Sequence, residues 1–200
     1  MNTPIYASSR ALAALSFCVL AACGGAQKPT AQGPLDVNRL YPLRPGSVWT
    51  YDVDTGQGLP TLAITRVLSS DGTHVEVSSG AAPIPYEIRP DGLYRSDRGA
   101  YVLKGPIRQG ATWDAGAGAK AEVTDTAKEV TTPAGDFRQC VEVLETGGSG
   151  GKIVRTVFCP DIGPVEVDSS MQMELSGQSA RVSAKLRGYD FSGVLTQPAP

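Results

Sequence analysis

The chain has 200 residues, and 18 Lys and Arg stand against 20 Asp and Glu, for a net charge of −2. That balance leaves no electrostatic footprint for nucleic acid and no polybasic patch for a membrane surface. With 23 Gly and 15 Pro, and no long runs of Leu, Glu, Lys and Ala, the composition excludes a mainly helical protein and fits short strands joined by many turns.

Residues 1–22 carry one charged side chain, Arg10, followed by an apolar stretch from Ala11 to Ala22. A bilayer takes about 20 apolar residues to cross, so this stretch is too short to span one. It has the length of a signal-peptide core. It ends in Leu20-Ala21-Ala22-Cys23, with small side chains ahead of a cysteine, as a cleavage enzyme that needs small residues requires. These residues resemble the lipobox of bacterial lipoproteins. The resemblance implies removal of residues 1–22, a thioether-linked diacylglycerol on Cys23, and a third acyl chain such as palmitate on the new amino group. One acyl chain binds a membrane marginally, whereas two or three hold firmly. Gly24 stands where lipoproteins retained in the inner membrane often have Asp. The resemblance therefore implies an anchor in the outer membrane, facing the periplasm. Residues 23–39 are polar, bear Gly and Pro and lack an apolar period, and read as a flexible tether.

The spacing predicts an all-β domain over residues 40–195, with a frayed, Pro-rich tail at 196–200. Trp49, Tyr51 and Val53 alternate with Thr50 and Asp52 on a first strand after the Pro45-Gly46 turn. Leu62, Ile64 and Leu68 mark a second. Asp71-Gly72 is a hairpin signal, and Val75 and Val77 continue inward beyond it. Ile84, Tyr86 and Ile88 make a fourth strand, with two short strands more around Asp97-Arg98-Gly99. The opening then recurs: Tyr41-x-Leu43-Arg44 and Gly46-x-x-Trp49 are echoed by Tyr101-x-Leu103-Lys104 and Gly110-x-x-Trp113. Two related halves are expected, with a soft linker and a subdivision near 115–119. Met171, Met173 and Leu175 on one strand and Val182, Ala184 and Leu186 on the next give the clearest period of two.

Cys18 leaves with the signal and Cys23 is acylated, so Cys140 and Cys159 remain as an even pair in an oxidising compartment. They flank a hairpin turned at Gly147–Gly151. A register that sets Val141 opposite Phe158 also sets Cys140 opposite Cys159. Directly opposed residues lie about 4.5–5.5 Å apart at Cα, within disulfide range. Such a staple contributes about 3 kcal/mol. A disulfide-exchange enzyme more often shows Cys-x-x-Cys at a helix start.

Three segments, Tyr41-Pro-Leu-x-x-Gly-x-x-Trp-x-Tyr51, Thr132-Pro-Ala-Gly-x-Phe-x-x-Cys-x-x-Val143 and Cys159-Pro-x-x-Gly-Pro-Val165, resemble a loosely defined group of exported bacterial β-rich proteins of unassigned activity. The resemblance implies a strongly curved antiparallel sheet, half-barrel or sandwich-like. That outline is similar in kind to the half-barrels of lipoprotein carriers such as the Lol system, without their motifs or covering helix.

No constellation names a reaction. His74 is the single histidine and is expected to face water. A metal site needs three or four ligands, and a Ser-His-Asp triad would have only this base to use. Asp52-x-Asp54-x-Gly56 opens like a calcium loop, but the places for the third oxygen, the Gly and the final Glu hold Gly56, Gln57 and Ala63. Gly-rich 115–118 with Lys120 lacks the ending of a phosphate loop. Arg181, Lys185 and Arg187 form a basic stripe that either meets anionic headgroups or is a solvated face. The aromatics Trp49, Tyr51, Tyr86 and Trp113 line a ligand groove or fill the core. The expected protein is a non-catalytic, lipid-anchored envelope module that binds or scaffolds, with no cofactor and no metal. Its expected partners are the membrane, through Cys23, and an envelope protein or a lipid ligand. The rivals are a carrier of an apolar ligand, an acyl chain or lipoprotein, in the concave face, and a hydrolase of unrecognised type. An inner face filled by its own side chains speaks against the carrier, and an open one speaks for it.

Overall fold

The computed structural model describes residues 35–80, 82–148, 151–172 and 179–193. The signal, Cys23, most of the expected tether, Met173, Leu175 and the tail lie outside the described residues. Among the described residues one short helix, α1 (Val37–Leu40), precedes the strands. The first six are β1 (Val48–Asp54), β2 (Thr61–Ser70), β3 (His74–Ser78), β4 (Pro83–Arg89), β5 (Gly92–Arg95) and β6 (Ala100–Lys104). The rest are β7 (Thr112–Gly116), β8 (Ala119–Thr132), β9 (Gly135–Gly147), β10 (Ile153–Cys159), β11 (Gly163–Gln172) and β12 (Ser179–Asp190).

These strands form a single antiparallel sheet of 12 in the order β6-β5-β4-β3-β2-β1-β12-β11-β10-β9-β8-β7. Its two edges meet. Trp113 Nε1 on β7 donates to Tyr101 O on β6 at 3.0 Å. Gly116 lies so close to β6 that a Cβ there would stand 2.9 Å from the Ala100 methyl. The sheet is thus all-β and nearly closed into a barrel, curved further than a half-barrel.

The order is two six-strand meanders, β1–β6 and β7–β12, joined side by side at β1 and β12. Their opening corners have the same backbone bonds. Ser47 N–H donates to Arg44 O at 3.1 Å, and Ala111 N–H to Arg108 O at 3.0 Å. Gly46 N–H and Gly110 N–H donate to Val67 O and Val123 O, and those valines return bonds to Ser47 O and Ala111 O. Gly46 and Gly110 turn at φ 79° and 78°, a region that favours glycine. The corner therefore aligns Pro42-Leu43-Arg44 with Pro106-Ile107-Arg108. The sequence echo holds for Gly110-x-x-Trp113 but not for Tyr101-x-Leu103-Lys104, which belongs to β6. The Gly116-Ala117-Gly118 run is not a linker either. All three residues take positive φ and make the tight β7–β8 turn, so the two halves divide between β6 and β7.

Alternation builds the wall. Trp49 and Tyr51 are buried between less buried neighbours on β1, and Val75 and Val77 between exposed His74 and Glu76 on β3. On β2 the inward set is Ala63, Thr65 and Val67, while Leu62, Ile64 and Leu68 face outward at 57%, 51% and 47% exposure. Packing volume decides this. Thr65 and Ala63 stand directly opposite Trp49 and Tyr51, and two large rings leave room only for small partners.

The ordered body starts earlier than the expected boundary. Leu35 bridges to Ile107, Asp36 Oδ1 accepts from Asn38 N–H at 3.0 Å and caps α1, and Leu40 is fully buried. β9 and β10 pair with Val141 opposite Phe158, and Cys140 and Cys159 are joined by a disulfide, Cα atoms 4.2 Å apart. Beyond the disulfide the β8–β9 hairpin extends to β12, where Ala134 N–H donates to Leu186 O at 3.0 Å. The register of β1 against β12 slips between Leu186 and Gly188, a bulge that leaves this carbonyl available.

Candidate functional site

The barrel is closed at one end and open at the other. At the closed end the chain after α1 enters the barrel. The Tyr41 ring meets Trp49, Tyr86 and Phe158, on three separate strands, at centroid distances of 5.5, 6.1 and 6.2 Å. Trp49 Nε1 donates to Ile162 O at 2.7 Å and Tyr51 Oη to Pro164 O at 2.9 Å, so both polar tips are satisfied. Gly163 passes close by at φ 101°, and a Cβ there would lie 3.2 Å from Trp49 Nε1. Asp161 latches the plug. Its N–H donates to Arg39 O at 2.6 Å, and its carboxylate receives Arg39 Nε at 3.0 Å and Arg39 Nη2.

Beyond Tyr41 the inward side chains shrink, and a cavity of about 450 Å³ opens along the axis. That volume falls in the range of small-molecule sites, about 300–1,000 Å³. Tyr41, Tyr86 and Phe158 form its floor. Its walls come from both halves and include Tyr51, Val53, Ile84, Val102, Val154 and Ala184. Burial drives the Tyr41, Tyr51 and Tyr86 hydroxyls upward from their ordinary pKa, so all three stay neutral.

The mouth is charged. Arg95, Arg98, Glu145 and Lys152 all line the cavity. Arg95 is held by Asp97, Nε to Oδ1 at 2.9 Å and Nη2 to Oδ2 at 2.5 Å, and its guanidinium lies 5.9 Å from the Tyr86 ring centre. Burial pushes the Glu145 carboxyl up, against the opposing pull of Arg98, Lys152 and Arg95. Arg98, Glu145, Lys152 and Val154 also line a side cleft of about 450 Å³ at the β7–β8 and β9–β10 turns, so cleft and lumen meet at these four residues.

Of the four candidate groove aromatics, Tyr51 and Tyr86 line the lumen. Trp49 and Trp113 do not. Trp49 is packed in the closed end and Trp113 spans the seam between the sheet edges. His74 is exposed on the outer surface. Its N–H and Nδ1 lie 2.7 and 3.2 Å from the Asp71 carboxylate, which these contacts and the Thr73 N–H hold down at a pKa of about 2. Asp54 Oδ1 accepts from Gly56 N–H at 2.7 Å as an ordinary turn, and Asp52 receives Arg187 Nη1 at 2.9 Å. The basic stripe is matched by acids on neighbouring strands. Arg187 pairs with Asp52, Arg181 lies 3.6 Å from Asp168, and Lys185 sits across from Asp52 and Glu166. An ion cluster centred on Arg155 adjoins the stripe. Arg155 meets Glu166 at 2.8 Å, Glu142 at 3.5 Å and Asp168, and Lys128 meets Glu142 at 2.9 Å.

The mouth charges were the part that motif reading passed over. The signal lay in the alternation Val141, Val143, Glu145, where an acid takes an inward position after two buried valines.

No protein-family model matches the sequence, and neither does any curated protein. Two solved structures align with the chain. One is a Bacteroides fragilis protein described as exported and with a YmcC-like fold, at 15% identity and TM-score 0.47, over 76% of this chain and 98% of that one. The other is a Parabacteroides distasonis protein described as a lipoprotein, at 11% identity and TM-score 0.46, over 78% of this chain and 100% of that one.

Proposed function

We propose that this chain is a lipid-anchored protein of the bacterial envelope, held through Cys23 in the outer membrane on its periplasmic side, that binds an apolar ligand in its lumen without catalysis. The observation that carries the reading is a lumen stopped at one end by Tyr41 and open at the other, with mainly apolar walls. The lipobox residues Leu20 to Cys23 support the location. Apolar cavities of this size bind by excluding water from the ligand, at about 25 cal/mol per Å² of apolar surface covered.

Mass spectrometry of the full chain purified from its native envelope tests the reading. The expected result is a small amphiphile or lipid that is absent from an Ala184→Phe variant, in which the lumen is filled. An identical small-molecule content in both proteins would overturn it. Labelled palmitate should enter the parent and not a Cys23→Ser variant.

A second reading, contact with an envelope protein, is favoured by the outward row Leu62, Ile64 and Leu68 on β2. Crosslinking from Ile64 in the envelope, lost in an Ile64→Lys variant, would support it.

A further inference from the structure

We propose that Arg98 and Lys152 form a head-group site at the mouth, and that the ligand is a single-chain amphiphile ending in a carboxylate or a phosphate. The proposal rests on the reading that the lumen holds an apolar chain, and adds which end of the ligand points outward and what charge it has.

Arg98 lies in the β5–β6 turn and Lys152 just ahead of β10, and both line the lumen and the side cleft. The third cation, Arg95, is already engaged by Asp97. Arg98 and Lys152 are held in no ion pair among the described residues and face Glu145, which also has no bonded partner there. Two cations against one acid leave a net positive entrance, which an anionic head completes. Directly below, the wall turns apolar through Val154, Val102 and Ile84 to the ring floor of Tyr86, Phe158 and Tyr41. Charge at the entrance and hydrocarbon beneath match one charged head on one chain. A cationic head would meet Arg98 and Lys152 as like charges, and a neutral one would leave them unanswered.

The lip around this entrance points the same way. Leu59, in the β1–β2 turn, and Met171, beside the end of β11, are exposed on the open side, and the exposed Val182 of β12 lines the lumen. Apolar side chains beside a cationic opening suit a ligand that arrives with its chain in hydrocarbon and its anionic head in water.

Calorimetry of the mature protein with dodecanoate, dodecyl phosphate, dodecanol and dodecyltrimethylammonium tests the site. The two anions should bind about tenfold tighter than dodecanol, the range of a few partly exposed charge contacts. The cation should bind more weakly than dodecanol. An Arg98→Gln/Lys152→Gln variant should lose about tenfold for the anions and nothing for dodecanol. Both residues are exposed, so an unchanged circular dichroism spectrum is expected. Glu145→Gln removes the competing acid and should tighten dodecanoate about threefold. Palmitate presented in phosphatidylcholine vesicles and dodecanoate presented as monomer separate uptake from a membrane and from solution. In either arm, sensitivity to the double variant supports the site. Equal binding of dodecanoate and dodecanol, unmoved by the double variant, would overturn the head-group site and leave the lumen reading standing. Binding of none of the four probes would overturn both.

Discussion

The two ends of the barrel are built from the same twelve strands and do opposite things. At the closed end Trp49, Leu40 and Leu103 are fully buried, and the ring tips find backbone carbonyls. At the open end the inward positions fall to Ala63, Ser169 and Ala184, and charged residues take the rim. The strands run through both ends, with bulges at Thr50/Tyr51, Val67/Ser69 and Val157/Phe158 toward the closed one. Smaller inward side chains convert a packed core into a lumen, so stability and binding should respond to mutation at different ends.

The largest expected effect is at the closed end. Trp49→Ala should cost about 3–5 kcal/mol in a urea melt, because it removes the ring that Tyr41 and Phe191 pack against. Reduction of the Cys140–Cys159 disulfide comes next, at about 3 kcal/mol, read by the same melt with and without reductant. Gly163→Ala should cost about 1–3 kcal/mol, because the residue sits at positive φ and its methyl would press on Trp49. At the open end the expectation reverses. Ala184→Leu fills space that is already empty and should change stability by less than about 1 kcal/mol while abolishing ligand uptake. Equal losses of stability at both ends would break the comparison.

The smallest effect concerns pH. The hydrogen bond from Arg39 outweighs burial and holds the Asp161 carboxyl below its ordinary range. A carboxyl depressed in the folded state stabilises above its unfolded pKa, and that contribution is lost as pH falls through the folded value. The plug latch should therefore loosen only below the ordinary carboxylate range. The shift should be small and salt-sensitive, since both side chains are more than half exposed. An Asp161→Asn variant should flatten that acid limb of the melting curve.

Much of this architecture was legible because period-two patterns and turn residues act locally. The β9–β10 register followed from one hairpin, since fixing Val141 against Phe158 fixes the cysteines. β2 was not legible in the same way. Both of its faces carry apolar residues, and hydrophobicity favours Leu62, Ile64 and Leu68 over Ala63, Thr65 and Val67. The volumes of Trp49 and Tyr51 across the ladder reverse that choice. The alignment of the two halves needed the backbone bonds of Gly46 and Gly110, because Tyr101 and Leu103 imitate Tyr41 and Leu43 from the wrong strand. The lumen depends on distant strands meeting around a circle, and no local pattern carries that. Segment 35–40 is too short to show a helical period, yet Leu40 anchors it.

The matching corners at Gly46 and Gly110 also bear on ancestry. Two meanders that open on the same corner and join through residues 105–111 have the layout of one six-stranded unit repeated in tandem. Gene duplication would produce that arrangement, and divergence after fusion would let one copy supply the plug while the other grew the long β8–β9 arm.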